Sequence, residues 1–447
     1  MTSLVAAALL CAAVPGLADD PPEEPLPLTF KDPAVFCTVP GACNPSSPHH
    51  PLGMVVADLI DQDDYPDVAV VNSSHQSVSV FRNTGGWSSP NNALTHAPGS
   101  PYMLDGRTPY DVDAGDLDGD LDLDLVITVP RSGTFPGFTP GELIILYYDS
   151  QLGAFGNLEH VPLSDAVGDP PQGPAKPDPR GLEIGDFNQD GRMDIAVASS
   201  SFVAPFTFTN LGRVEVLYGQ PGGSWSRELF DFQAEGVFAC TEIVTARMSE
   251  HGPSGYKDLV VGTFATNLNE PKLIILLNNL GQFTPLVQDS GTNTLGIAVG
   301  RFGSDQCRDV VATRDTAGPD SIDLFSGTCT GFINPATPPS YALFPSTDPY
   351  GVDVGKLNLD GQRDIVVAAQ HGEPCGGLHG GVAVYLGNAD GTFQEPAELF
   401  CVDPDDPPKP CFVKIADMNQ DTLNDIVTSN ADSGKISVLI NDSNSLP

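Results

Sequence analysis

Asp186-Phe187-Asn188-Gln189-Asp190-Gly191-Arg192-Met193-Asp194 runs directly into the apolar stretch Ile195-Ala196-Val197-Ala198. The same acidic string returns along the chain. Asp116, Asp118, Asp120 and Asp124 lead into Leu125-Val126-Ile127, and Asp417, Asn419, Asp421 and Asp425 lead into Ile426-Val427. A further copy keeps Asn358, Asp360 and Asp364, with Lys356 in place of the first aspartate. In the copy nearest the N-terminus one extra residue displaces Asp58, while Asp61, Asp63 and Asp67 hold register. Two copies are eroded: 301–309 retains Asp305 and Asp309, and 247–258 retains only Asp258.

The seven copies begin near 58, 116, 186, 247, 301, 356 and 417, with spacings of 54 to 70 residues. Regular self-similarity at this period marks a repeat architecture. The chemistry follows from the spacing. Carboxylates or amides at positions 1, 3, 5 and 9 of a tight loop, with a carbonyl at position 7, can supply the six to eight oxygens that calcium takes. Glycine at position 6, as in Gly191 and Gly361, permits the sharp turn. Without a cation these carboxylates would repel one another. The candidate metal ligands are therefore Asp58, Asp61, Asp63, Asp67, Asp116, Asp118, Asp120, Asp124, Asp186, Asn188, Asp190, Asp194, Asn358, Asp360, Asp364, Asp417, Asn419, Asp421 and Asp425. Three to five calcium ions are expected. An EF-hand is excluded, because its loop is longer, ends in glutamate and lies between helices.

The aspartate loop followed by an Ile/Val run, repeated seven times, resembles the FG-GAP/VCBS repeat family and the calcium-bearing blades of integrin α-subunit propellers. The resemblance covers nearly everything after about residue 50. It implies a β-propeller with calcium in loops of this kind. The family's literal Phe-Gly-Gly-Ala-Pro string survives only as Phe302-Gly303.

Each unit also reads as four strands on its own terms. A short apolar strand (Met54–Ala57) precedes the loop, a buried run (Val68–Val71) follows it, and a third strand (Val78–Val80) comes next. A Gly-aromatic turn such as Gly281-Gln282-Phe283 then opens the fourth. Short strands at even spacing, with almost no helical periodicity, predict an all-β, seven-bladed propeller of four-stranded blades over 51–447. The last unit stops after Ile440 without a fourth strand, so Leu26 to Phe30 is expected to close the ring from within a Pro-rich segment, 19–50.

Composition narrows the functions. The chain has 58 acidic against 20 basic side chains and a formal charge of −38, which argues against nucleic acid and anionic membrane surfaces. Aspartate supplies 44 of the acids, and 21 of those fall inside the seven loop windows. An apolar run from Leu4 to Val14, with small residues before Asp19, reads as a signal peptide over 1–18, although a basic leader segment is missing. Export agrees with the eight cysteines beyond Cys11, for which proximity favours Cys37–Cys43, Cys307–Cys329 and Cys401–Cys411, leaving Cys240 and Cys375.

Chain alternation puts the aspartate loops on one face and the long insertions, 130–141, 165–180, 201–210, 371–381 and 401–411, on the other. Those insertions carry Phe135, Phe138, Phe202, Phe206 and Phe208 and are the expected recognition surface. No HExxH string or Gly-x-Ser-x-Gly elbow is present, and no basic cluster suits an acidic sugar polymer. The expectation is a secreted or cell-surface monomer that binds an extracellular protein or glycan, with structural calcium and no catalytic residues. A carbohydrate-active enzyme, such as a polysaccharide lyase using the insertion-rich face, is the alternative.

Overall fold

The computed structural model describes residues 28–41, 49–89, 92–133, 139–165, 176–202, 211–249, 255–264, 271–291, 293–303, 305–314, 320–331, 333, 339–343, 347–371 and 380–443. Seven antiparallel sheets follow one another in the order expected of blades. Their innermost strands are Pro51–Ala57, Asp111–Gly115, Lys176–Gly185, Ala239–Ala246, Thr294–Gly300, Pro349–Gly355 and Pro410–Ala416. Each touches the next around a ring, and the seventh touches the first. The protein is a seven-bladed β-propeller with no helix among the described residues.

Every second strand starts on the last aspartate of its loop: Asp67, Asp124, Asp194, Asp258, Asp309, Asp364 and Asp425. These strands read as unbroken apolar runs because neighbouring blades cover both of their faces, and Val68 to Val71 are wholly inaccessible. Blade packing therefore replaces a single core with a series of apolar seams between adjacent sheets. Near the axis the inner strands approach so closely that some positions admit only glycine. A Cβ on Gly181 would lie 2.9 Å from the Ile243 nitrogen, and one on Gly351 would lie 2.7 Å from the Cys411 carbonyl oxygen. Both glycines sit at bulges in the pairing of inner and second strands.

The N-terminal segment does close the ring, but with residues other than those expected. Ala34–Cys37 pairs with Lys435–Leu439 as the outer strand of blade seven, whereas Phe30 makes a single bridge to Asn441. The reason is packing. Phe36 reaches the rings of Phe81 and Trp87 in blade one, so Ala34–Cys37 is the stretch able to cover the seam between first and last blades. Residues 1–27, which hold the expected signal peptide and the first two residues of Leu26–Phe30, lie outside the described set.

The cysteine expectations divide. Cys307–Cys329 is a disulfide, and Cys37 and Cys401 are also disulfide-bonded. Cys411 and Cys240 are free and buried, which overturns the Cys401–Cys411 and Cys240–Cys375 pairings. Both free thiols sit on inner strands, Cys240 against the seam between blades three and four and Cys411 beside Gln370. The fourth strand of blade six is also displaced. It runs over Glu398–Cys401, and Phe393 of the Gly-aromatic turn contributes only a bridge to Gly387.

Candidate metal loops and the face they form

The aspartate loops join first to second strands, so all seven open on the same face. In blade two, Asp116 accepts the N–H groups of Gly119 and Leu121, Asp118 accepts that of Asp120, and Asp120 accepts that of Asp122. Turn-by-turn acceptance of this kind folds the loop back on itself and brings one oxygen from each of Asp116, Asp118 and Asp120 within 4.8 Å of the others. Three carboxylates gathered so closely fit a hard divalent cation, and they repel one another without one. Burial and the neighbouring Asp120 and Asp116 raise the Asp118 carboxyl above its ordinary range.

The loops of blades three and seven repeat this geometry. Asp186 accepts from Asp190 and Gly191, and Asp417 accepts from Asp421 and Thr422. Asn188 and Asn419 take the place of the middle aspartate, each accepting the N–H two residues on. In blade three the Arg192 guanidinium lies 2.6 Å from Asp190, and two other loops also carry a protein cation. Arg82 Nε lies 2.6 Å from Asp61 in blade one, and Lys356 stands at the first position in blade six. Arg82 comes from the third strand of its blade, and no loop motif pointed to it.

The ninth-position aspartates behave differently from the rest. Asp67, Asp124, Asp194, Asp258, Asp309, Asp364 and Asp425 are at most 3% exposed. In each blade, one carboxylate oxygen accepts the N–H of the loop's second residue or its register equivalent: Leu59, Leu117, Phe187, Met248, Phe302, Leu357 or Met418. The other oxygen accepts an N–H at the end of the third strand, from Asn83, Tyr148, Gly219, Asn278, Gly327, Gly387 or Asn441. All of these bonds measure 2.7–3.0 Å. One carboxylate thus ties loop, second strand and third strand together in every blade, including the eroded ones. Asp124 stands outside the cluster formed by Asp116, Asp118 and Asp120. Burial raises these carboxyls, Asp67 and Asp425 to about 7 and Asp124, Asp194, Asp309 and Asp364 to about 6.

At three joints the third strand reaches further. Asn83 donates its side-chain amide to the Met418 carbonyl of blade seven, Asn278 to Phe187 of blade three, and Asn441 to Leu357 of blade six. The second loop residue is therefore held from its own blade through N–H and from the next through C=O.

A second constellation lines the central channel. Asp111, Asp113, Glu183, Glu242 and Asp353 surround Lys414, whose side chain is exposed along the channel. Burial pushes Asp111 up to about 7 and Glu183 to about 8, with Glu242 also well above its usual range. Burial works against the Lys414 charge, but Asp353, Glu183, Asp111 and Glu242 outweigh it and hold the ammonium above its ordinary value. At the end away from the aspartate loops, the Tyr110 and Tyr350 hydroxyls meet, and the Arg180 guanidinium lies 4.6 Å from the Tyr110 ring centre. The inner strands are too short for sequence periodicity to separate channel positions from seam positions.

On the insertion face, Phe135, Phe138, Phe206 and Phe208 lie outside the described residues, as does the side chain of Phe202. The insertion at 401–411 is fastened down: buried Asp403 and half-buried Asp406 lie 3.0 and 2.6 Å from the Lys435 ammonium.

Residues 60–127 and 356–428 match the model of the FG-GAP-like repeat. The chain is a seven-bladed β-propeller that carries FG-GAP-like repeats in these two stretches. The two matched stretches span the loops of blades one and two and of blades six and seven. The propeller is similar in fold to a BBS1N chain crystallised in complex with ARL6DN, with a TM-score of 0.53 and 11% identity over 89% of this chain and 94% of that one. No curated protein matches it.

Proposed function

We propose that the protein is an exported calcium-binding propeller that serves as an extracellular binding or adhesion module, with calcium in a structural role. The observation that carries the reading is the convergence of Asp116, Asp118 and Asp120 within 4.8 Å. Asp186, Asn188 and Asp190, and Asp417, Asn419 and Asp421, would hold ions in the matching loops of blades three and seven. Arg82, Arg192 and Lys356 already place positive charge at the loops of blades one, three and six, which leaves the loops of blades two and seven as the strongest candidates. Bound calcium would neutralise the clustered carboxylates and brace each loop. Binding function is ascribed to the loop-rich ends of the rigid ring, where an extracellular protein or glycan would dock on a monomer.

Ligand that binds only the folded state stabilises it by about 2.7 kcal/mol per site at a hundred times Kd. Removing calcium with EGTA should therefore lower the melting temperature, and restoring it should reverse the loss. Replacing both Asp118 and Asp120 with Asn should remove one ion from the stoichiometry measured by calorimetry. A melting curve indifferent to EGTA would overturn the metal assignment.

A further inference from the structure

Between blades two and three, the loop face opens into a groove of about 960 Å³, against about 210 Å³ between blades five and six. At the joints held by Asn83, Asn278 and Asn441, an amide spans the gap to the preceding blade; here the equivalent residue is Gly219, so no such amide crosses the groove, as is also the case at Gly387 between blades five and six. Gly222 and Gly223, both with left-handed backbone, carry the blade-three rim of the groove away without side chains.

The groove floor is where the apolar seam between the two blades ends, on Leu117 and the half-buried rings of Tyr147 and Trp225. Tyr147 is fixed in place by its hydroxyl, which donates to Glu159 at 2.8 Å. The buried Trp225 indole N–H has no acceptor among the described residues. Around these rings stand neutral donors and acceptors, the amides of Gln151 and Gln220 among them, with the carboxylates of Asp116, Asp118, Asp120 and Asp149 along the rest of the lining. The single cation on the lining, Arg192, is already committed to Asp190 at 2.6 Å and to the Gly219 carbonyl at 3.0 Å. An anionic ligand would find no free positive partner there and would face Asp118, Asp120 and Asp149.

Flat aromatic surface bordered by neutral hydrogen-bonding groups is the complement of a pyranose ring, which has an apolar C–H face and hydroxyls at its edge. We propose that the groove between blades two and three binds a neutral oligosaccharide, seated on Trp225 and Tyr147 beside the Asp116 loop. The inference rests on the binding-module reading above and gives it a ligand class and a place.

The chain has two tryptophans, and Trp87 is buried in the seam between blades one and seven, so a change in emission on ligand addition reports Trp225. The full chain is titrated with cellotetraose, mannotetraose and xylotetraose, and in parallel with polygalacturonate and a tetralysine peptide. A saturable change in emission with at least one neutral tetrasaccharide is expected, with Kd on the order of 0.1–1 mM. Calorimetry should show at least a tenfold loss for Trp225→Ala and a smaller loss for the exposed Gln151→Ala, which leaves the floor intact. No saturable change with any neutral probe, or binding only of polygalacturonate or tetralysine, overturns the proposal. Terbium luminescence separates the two readings. Terbium uptake at the Asp116 loop without sugar binding sinks the groove assignment alone, whereas sugar binding without terbium uptake keeps the groove and sinks the calcium reading.

Discussion

Replacing Asp258 tests whether the ninth aspartate holds the blade or serves the metal. Blade four is the place to ask, because its loop keeps no other carboxylate of the repeat. Asp258 is 3% exposed and accepts three backbone N–H groups: Met248 at 2.8 Å, Ser249 at 3.0 Å and Asn278 at 2.7 Å. Hydrogen bonds to a charged acceptor contribute about 1.5–3 kcal/mol each, and a buried donor left unpaired costs about 1–3 kcal/mol. Part of that gain is offset by the burial that raises the Asp258 carboxyl above its normal range. For Asp258→Ala a net loss of about 3–6 kcal/mol is expected once water is allowed to reach one or two of the freed amides. Asp258→Asn keeps the shape but offers one acceptor oxygen instead of two, so about half of that loss is expected. Both variants are measured by urea unfolding in calcium and again in EGTA. The staple reasoning requires the same difference from wild type in both conditions. A loss under about 0.5 kcal/mol, within the range of an ordinary surface substitution, would refute it. So would a loss present in calcium and absent in EGTA.

Other expectations concern the channel, the fastened insertion and the disulfide. Asp111 and Glu183 have folded pKa values raised to about 7 and about 8, so their contribution is full below the unfolded values near 4 and is lost as pH rises through 7–8. Lys414→Met removes the cation facing those carboxylates, so its melting temperature should fall further below wild type at pH 8.5 than at pH 5; parallel pH curves would contradict the assignment. Lys435→Met strands Asp403, which is 1% exposed, and should cost about 3–5 kcal/mol in urea unfolding, as expected for breaking a buried ion pair from one side. The double variant Lys435→Met/Asp403→Leu should recover much of that loss, and failure to recover any would mean that the pair is not the source of the cost. Replacing Cys307 and Cys329 together with Ser, which opens a loop of 22 residues, should lower stability by about 3 kcal/mol on chain-entropy grounds, read as a shift in the urea midpoint.

The ring was legible in the sequence because the loops recur with little change in spacing and because each apolar run after a loop has strand length. Blade number, strand order and the shared face of the loops all follow from those two facts. The role of the ninth aspartate was not legible. The string marks this position only as a candidate ligand, and its backbone role appears only in the bonds of Asp67 and its six equivalents. The eroded copies held the clue, since 247–258 keeps Asp258 after losing every other acid of the motif. Cysteine pairing failed for a different reason. Cys401 and Cys411 are near in sequence, but Cys411 is drawn onto an inner strand beside the channel while Cys401 ends an outer one. The Asn83, Asn278 and Asn441 clamps were missed because each spans a joint between blades, beyond the reach of any single-repeat pattern.

Two separate demands on aspartate therefore overlap in one nine-residue string. The ninth position answers to the backbone: it is buried, bonded on both oxygens and present seven times. Aspartates at positions 1, 3 and 5 lie nearer the surface, half-buried at the first and exposed at the fifth, and one oxygen from each of Asp116, Asp118 and Asp120 lies within 4.8 Å of the others. Because the second group bonds mainly within its own loop, a blade can lose all of it, as blade four does, or most of it, as blade five does, and still hold its strands in register. The reverse change, keeping the exposed acids and losing the buried one, would leave N–H groups from the loop and third strand unpaired inside the seam. Erosion should then always run in the direction seen here. On the same reasoning, Asp116, Asp118 and Asp120 can be replaced together with Asn in blade two and the blade should still form, with only its cation lost, whereas Asp124→Ala should weaken the blade with or without calcium.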